Sequence, residues 1–393
     1  MTTELPGMRF GPNLTLIAKR LANGVFSLLL LCAGANAFGA PPSGPATNPP
    51  ADSLSTVMSE SPAQQSNSHW WLMAYFRQRY DSRVEIDAAG KIHNVPLPNP
   101  MREEQLHFAL SHDGRHWTPL NGNRPVWNQR LRDPFLARDQ NGVWRLVATG
   151  GQRGSGGTNQ GPTCLYATSH DLITWEDVRS LNPMAGVRND DGLPAGNVWA
   201  PEWFYDRKSG DFVLLWSSSF ADAGWKQSRI WWTHTRDWQT FAPAKVLFAP
   251  PYSAIDATLI EHGGTYYLFH KEEEFGAATG ERRAIRLATS QQLAGPYQIF
   301  NGPLNRGQIA PTITEGPSVL RDPQGAGWLL LYDYCMSDAY GASVSPDLLH
   351  WSVVSSVTFP PDARHGCFAP LTDAEAKLLL EKFGAKTVEP ASR

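Results

Sequence analysis

The chain has 393 residues, a formal net charge of −3 and 18% charged residues. That length allows one large domain or two of average size. The weak negative charge and the lack of a basic cluster argue against nucleic acid and against an anionic membrane surface as partners.

Reading from the N-terminus, Lys19 and Arg20 precede the apolar run VFSLLLLCAGA, which closes on Ala35-Asn36-Ala37. Basic residues, a short apolar run and small residues form the pattern of a cleavable export signal, read here as residues 1–37. The run is too short to span a membrane. Leu31 before Cys32 is wrong for a lipoprotein signal, so Cys32 falls in the removed piece. Residues 38–68 are rich in Pro, Ser and Ala and read as a disordered linker. The expected location is secreted or periplasmic. The mature form is expected to be a monomer with no membrane contact. It keeps Cys164, Cys335 and Cys367, too few for a disulfide framework or a zinc site; one pair could bridge.

Residues 69–393 read as one folded domain made of repeats. A strand, a turn and an aromatic recur as FALSHDGRHW, YATSHDLITW, WWTHTRDWQTF, LATSQQLAGPY and ASVSPDLLHW. Ala109, Ala167, Trp232, Ala288 and Ser343 mark them at spacings of 58, 65, 56 and 55 residues. Before each lies a strand rich in aromatic and β-branched residues: HWWLMAYF, GVWRLVATG, DFVLLWSSS, GTYYLFHKE and GWLLLYDYC. Before the last four of these lies another apolar segment: DPFLAR, APEWFYD, DATLIEH and EGPSVLR. The period implies an all-β, five-bladed β-propeller. The first repeat lacks its innermost strand, and ARHGCFAP at 363–370 is spare. Strands from both chain ends are therefore expected to share one blade and close the ring, which leaves no long open edge. A short C-terminal helix follows, opened by Thr372 and Glu375 at capping-box spacing.

Inner strands of a propeller start at one face, around the axis. Those starts carry Asp133, Trp199 with Glu202, Asp256, Glu315 and His365. The adjoining strands return to the same face with Arg77, Ser217, Lys271, Glu272 and Tyr334. Each acid taken singly reads as a turn or cap residue; their recurrence at equivalent strand starts makes them a set. Several acids in one funnel repel one another, so a proton is held to higher pH. One protonated carboxyl beside one carboxylate is what glycoside hydrolysis needs. Fifteen tryptophans suit a core, and they also suit sugar stacking. The expected partner is a carbohydrate.

The ordered contexts DPF, IDAT and TEGP, with RDPFLAR, VWAPEWFYD and RHG, resemble glycoside hydrolase family 43 over residues 69–384. That family holds α-L-arabinofuranosidases, β-xylosidases and endo-arabinanases on five-bladed propellers. The resemblance is to its exo-acting, arabinofuranosidase-like branch. It implies Asp133 as general base, Glu315 as general acid, and Asp256 as the residue that orients Glu315 and raises its pKa. It also implies release of terminal α-L-arabinofuranosyl residues from plant polysaccharide. Asp133 and Glu315 start strands on the first and fourth blades, across the axis, so they are expected to stand far enough apart for a sugar and a water, as in an inverting enzyme. β-Xylosidase and β-D-galactofuranosidase activities are alternatives on the same scaffold. Some members hold a cation, calcium, near the fifth-blade histidine; here a lone His365 reads either as a ligand or, the favoured reading, as a hydrogen-bonded structural group, and no metal or other cofactor is assigned. A sialidase-like enzyme and a non-catalytic sugar-binding propeller are the competing classes. The first would need a tyrosine nucleophile and three arginines.

Overall fold

The computed structural model describes residues 70–87, 91–150, 162–221, 227–276, 279–337 and 339–384. The proposed signal at 1–37 and linker at 38–68 lie outside them.

Five antiparallel sheets form the expected five-bladed propeller. The innermost strands are Arg132–Arg138, Trp199–Asp206, Ala254–His262, Thr314–Arg321 and Ala363–Leu371, here numbered blades 1 to 5. The last pairs with Trp70–Arg79, from Trp70 opposite Leu371 to Arg77 opposite Ala363, with one slip between Ala74 and Phe76. Both ends of the described chain thus share blade 5, as the spare strand requires. A small hairpin, Ser82–Ile86 with Ile92–Pro96, follows Arg79 at the end of the blade where the inner strand begins.

Blades are packed on both faces, so their middle strands read as continuous apolar runs instead of alternating. Every residue of Asp211–Ser218 is buried, and Trp144, Trp203, Trp216, Trp238 and Trp328 are almost wholly enclosed. The C-terminal helix, Asp373–Phe383, has the expected capping box between Thr372 and Glu375. Glu375 also accepts hydrogen bonds from Arg138 and Trp144, which ties the helix to blade 1. Cys164, Cys335 and Cys367 are buried free thiols, so none of the three pairs bridges. No helix among the described residues is long and apolar enough to cross a membrane.

The repeated turn explains the repeated motif. In YATSHDLITW, Ser169 Oγ accepts from Leu172 N, while Asp171 Oδ1 accepts from Ile173 N at 2.8 Å and Thr174 N at 2.7 Å. The same bonds recur at Asp113, Asp237 and Asp347. Leu172, Trp238 and Leu348 take left-handed φ of 62°, 60° and 68° there. Each plugs its side chain into the core, at 1% exposure or less, which offsets the backbone strain. Burial opposes ionisation of Asp171, but the Thr174 and Ile173 amides outweigh it and lower its pKa. Its contribution is therefore present above the ordinary carboxylate range and lost as pH falls through the lowered value. Asp171→Ala is expected to lose about 1–2 kcal/mol at neutral pH by urea denaturation, with the gap to wild type closing in acid.

Candidate active site

One irregularity recurs in all five inner strands. Pairing with the next strand slips after Arg132, Trp199, Ile255 and Glu315, and around His365 in blade 5. The residue at the slip has positive φ each time: Asp133 48°, Ala200 43°, Asp256 53°, Gly316 57° and His365 24°. Such bulges re-aim side chains at a sheet edge. Pro134, Pro201 and Pro317 follow three of them, at positions where a missing N–H costs no ladder bond. Gly316 has a second reason to be glycine: a Cβ there would stand 2.7 Å from His365 Cδ2. Asp133, Asp256 and His365 therefore share one level, and Glu315 precedes it by one residue. Glu202 follows it by two, one layer deeper.

These residues surround a cavity of about 280 Å³ at the strand starts. Asp133, Asp256, Glu315, Trp199, Lys271 and His365 all line it. His365 Nδ1 lies 3.4 Å from Asp133 Oδ1 and 3.9 Å from Asp256 Oδ2, and its backbone N–H donates to Asp333 Oδ2 at 2.6 Å. Burial opposes protonation of His365, but Asp256 and Asp133 overcome it and raise its pKa. Burial pushes Asp256 up to about 6, against the pull of His365 and Lys271.

Glu315 is gripped from both sides. Lys271 Nζ donates to Oε2 at 2.7 Å and Arg364 donates to Oε1 at 2.6 Å. Burial favours the neutral acid, yet Lys271 and then Arg364 hold the carboxyl well below the usual carboxylate range. Lys271 has a second partner, Glu273 Oε2 at 2.6 Å. Of the two carboxyls Asp256 keeps its proton to the higher pH, and because they interact they titrate as a set.

Glu202 is buried below this level. Thr258 Oγ1 lies 2.6 Å from Glu202 Oε1 and 2.7 Å from the Pro317 carbonyl oxygen. One hydroxyl proton serves only one of them, and the carbonyl has none to give. Both contacts are satisfied when Glu202 is protonated and donates to Thr258. Burial pushes Glu202 up to about 8, against the Thr258 bond, in agreement.

Other proposed substrate contacts are turned elsewhere. Arg77 pairs with Glu103 and Asp362. Ser217 Oγ accepts from Asp256 N at 3.1 Å, so it fixes the bulge that presents Asp256. Glu272 is fully buried between Arg282 and Arg286. Tyr334 packs edge-on against Tyr332, and its carbonyl accepts from Arg364. Residues not singled out as binders also line the wall, among them Tyr80, Arg132, Glu273, Arg283 and Met336. Tyr80 comes from the segment just before the hairpin and walls one side. Among the described residues no three His, Cys, Asp or Glu side chains converge to hold a metal ion.

With this arrangement in view, the comparisons decide the family. Residues 98–377 match the family model of a probable glycosyl hydrolase domain related to glycoside hydrolase family 43. The chain belongs to that family. An α-L-arabinofuranosidase of Bifidobacterium longum subsp. longum is 29% identical over 190 residues, which is 42% of this chain and 18% of that enzyme. The match thus spans less than a fifth of that relative. The solved α-L-arabinofuranosidase of Lactobacillus brevis is 18% identical with a TM-score of 0.41, covering 59% of this chain and 73% of that one. A solved endo-1,4-beta-xylanase of Bacteroides thetaiotaomicron is 14% identical with a TM-score of 0.46, covering 73% of this chain and 97% of that one.

Proposed function

We propose that this glycoside hydrolase family 43 relative is an exported, exo-acting α-L-arabinofuranosidase that inverts the anomeric centre. The observation that carries the reading is the convergence of Asp133, Asp256 and Glu315 on one 280 Å³ cavity, small among ligand sites and suited to a single terminal sugar. The named arabinofuranosidase relative favours the furanoside over the xyloside reading.

In this reading Asp133, beside His365, deprotonates a water on one face of the sugar. Glu315 protonates the leaving oxygen on the other face. Glu315 must first regain a proton. Lys271 already pairs with Glu273 as well, so as substrate enters it can stay with Glu273 alone and leave Glu315 with Arg364, free to take a proton from solvent. Above about pH 6 Asp256 is a carboxylate, and its negative charge then favours a protonated Glu315. Asp133 and Glu315 belong to blades 1 and 4, on different walls of the cavity, the placement that inversion with a water beside the sugar requires.

Proton NMR of the first product from an aryl α-L-arabinofuranoside is expected to show the β anomer before mutarotation. Added methanol should give no methyl glycoside. An initial α anomer would make Asp133 a nucleophile. Faster turnover of a β-D-xyloside or β-D-galactofuranoside in the same assay would reassign the sugar.

A further inference from the structure

The wall of the cavity on the Glu315 side ends in an exposed aromatic. Phe275 is 57% exposed, the most of any large apolar side chain among the described residues. It follows Glu273 and Glu274 in the loop that leaves the second strand of blade 3. Its ring does not hang free, because the Arg283 guanidinium carbon lies 4.5 Å from the ring centroid. Arg283 is itself fixed, with Nε donating to Glu281 Oε1 at 2.9 Å and its terminal nitrogen to Oε2 at 2.6 Å. Arg283 lines the catalytic cavity, and its other terminal nitrogen lies 3.7 Å from Met336 Sδ. Met336 follows the second strand of blade 4, the blade that carries Glu315, and takes a left-handed φ of 56°. Phe275, Arg283 and Met336 thus form a ledge at the seam between blades 3 and 4. The guanidinium covers one face of the phenyl ring, and more than half of Phe275 remains exposed.

We infer that Phe275 is the platform of a second sugar subsite, which takes the ring of the leaving group. The inference rests on Glu315 being the general acid, since the leaving sugar departs on that acid's side. The cavity is filled by the terminal sugar, so the next ring must lie outside it, at the rim. There the apolar C–H face of a furanose or pyranose stacks on the exposed part of Phe275. The Arg283 ion pair on the opposite face holds the ring in place, so little side-chain freedom is lost on binding.

The test uses two substrates that differ only in the leaving group. Methyl α-L-arabinofuranoside offers no ring there, and the α-1,5-linked disaccharide of arabinofuranose offers one. Phe275→Ala is expected to lower kcat/KM for the disaccharide about tenfold and to leave the methyl glycoside within about twofold. Phe275→Trp should restore the disaccharide rate. Equal losses on both substrates, or no loss on the disaccharide, overturn the platform. If wild type cleaves neither substrate, the arabinofuranosidase reading falls, and the platform is read by calorimetry with the disaccharide on the Glu315→Gln protein. There Phe275→Ala must weaken binding about tenfold; unchanged affinity, or no binding at all, overturns it.

Discussion

Replacing Glu315 by Gln is expected to lower kcat by about 10²–10⁴-fold while the protein stays folded, and Asp133→Asn should do the same. The loss follows from the chemistry, because an amide can neither deliver a proton nor take one from water. Survival of the fold follows from the partners. Lys271 keeps Glu273 at 2.6 Å when Glu315 loses its charge, and Arg364 keeps Asp333 at 3.3 Å. Neither buried cation is stranded, so the usual penalty for breaking a buried pair is mostly avoided. At Asp133 the partner is His365, which retains Asp256 at 3.9 Å. Turnover of a nitrophenyl arabinofuranoside, read beside thermal unfolding, checks both parts. Near wild-type turnover in either variant would mean that the acid and base are wrongly chosen. Loss of activity with collapse of the fold would make these carboxylates structural.

Lys271→Met should do the reverse, with a large cost in stability and a shifted pH profile. Lys271 is 2% exposed and Glu315 15%, so removing the ammonium leaves Glu315 held by Arg364 alone and leaves Glu273 without its cation at 2.6 Å. Breaking such a pair costs about 3–5 kcal/mol. The sign with pH follows from the direction of the shift. Glu315 is lowered in the folded protein, so its pairing stabilises above the ordinary carboxylate range and is lost as pH falls through the lowered value. The deficit of the variant is therefore expected to be full at pH 7 and to shrink in acid. The same change raises the pKa of Glu315, so the alkaline limb of the kcat/KM profile should move to higher pH. Urea denaturation at pH 7 and pH 4, with a pH–rate profile, reads both. A stability loss independent of pH would show that Lys271 acts by packing alone.

The primary structure determined the architecture of this protein, and the reason is locality. Repeats such as YATSHDLITW carry their own turn, with Asp171 binding amides two and three residues on, so the motif is visible without any tertiary contact. The spare strand at 363–370 and the missing one before residue 69 force the closure that joins Trp70 to Leu371. Asp133, Asp256 and Glu315 were legible for the same reason, since each opens an inner strand. Tertiary structure decided which neighbours face them. Side chains alternate along a strand, so a one-residue change of register reverses every assignment. At the end of Thr265–Glu272 that parity turns Lys271 and Glu273 toward Glu315 and Glu272 toward Arg282 and Arg286. The bulges add a further shift that no residue type announces: Ala200 makes one in blade 2 with no acid to mark it. Tyr80, Phe275 and Arg283 reach the cavity or its rim from loops whose paths are set by packing across blade seams, so nothing in their local sequence marked them.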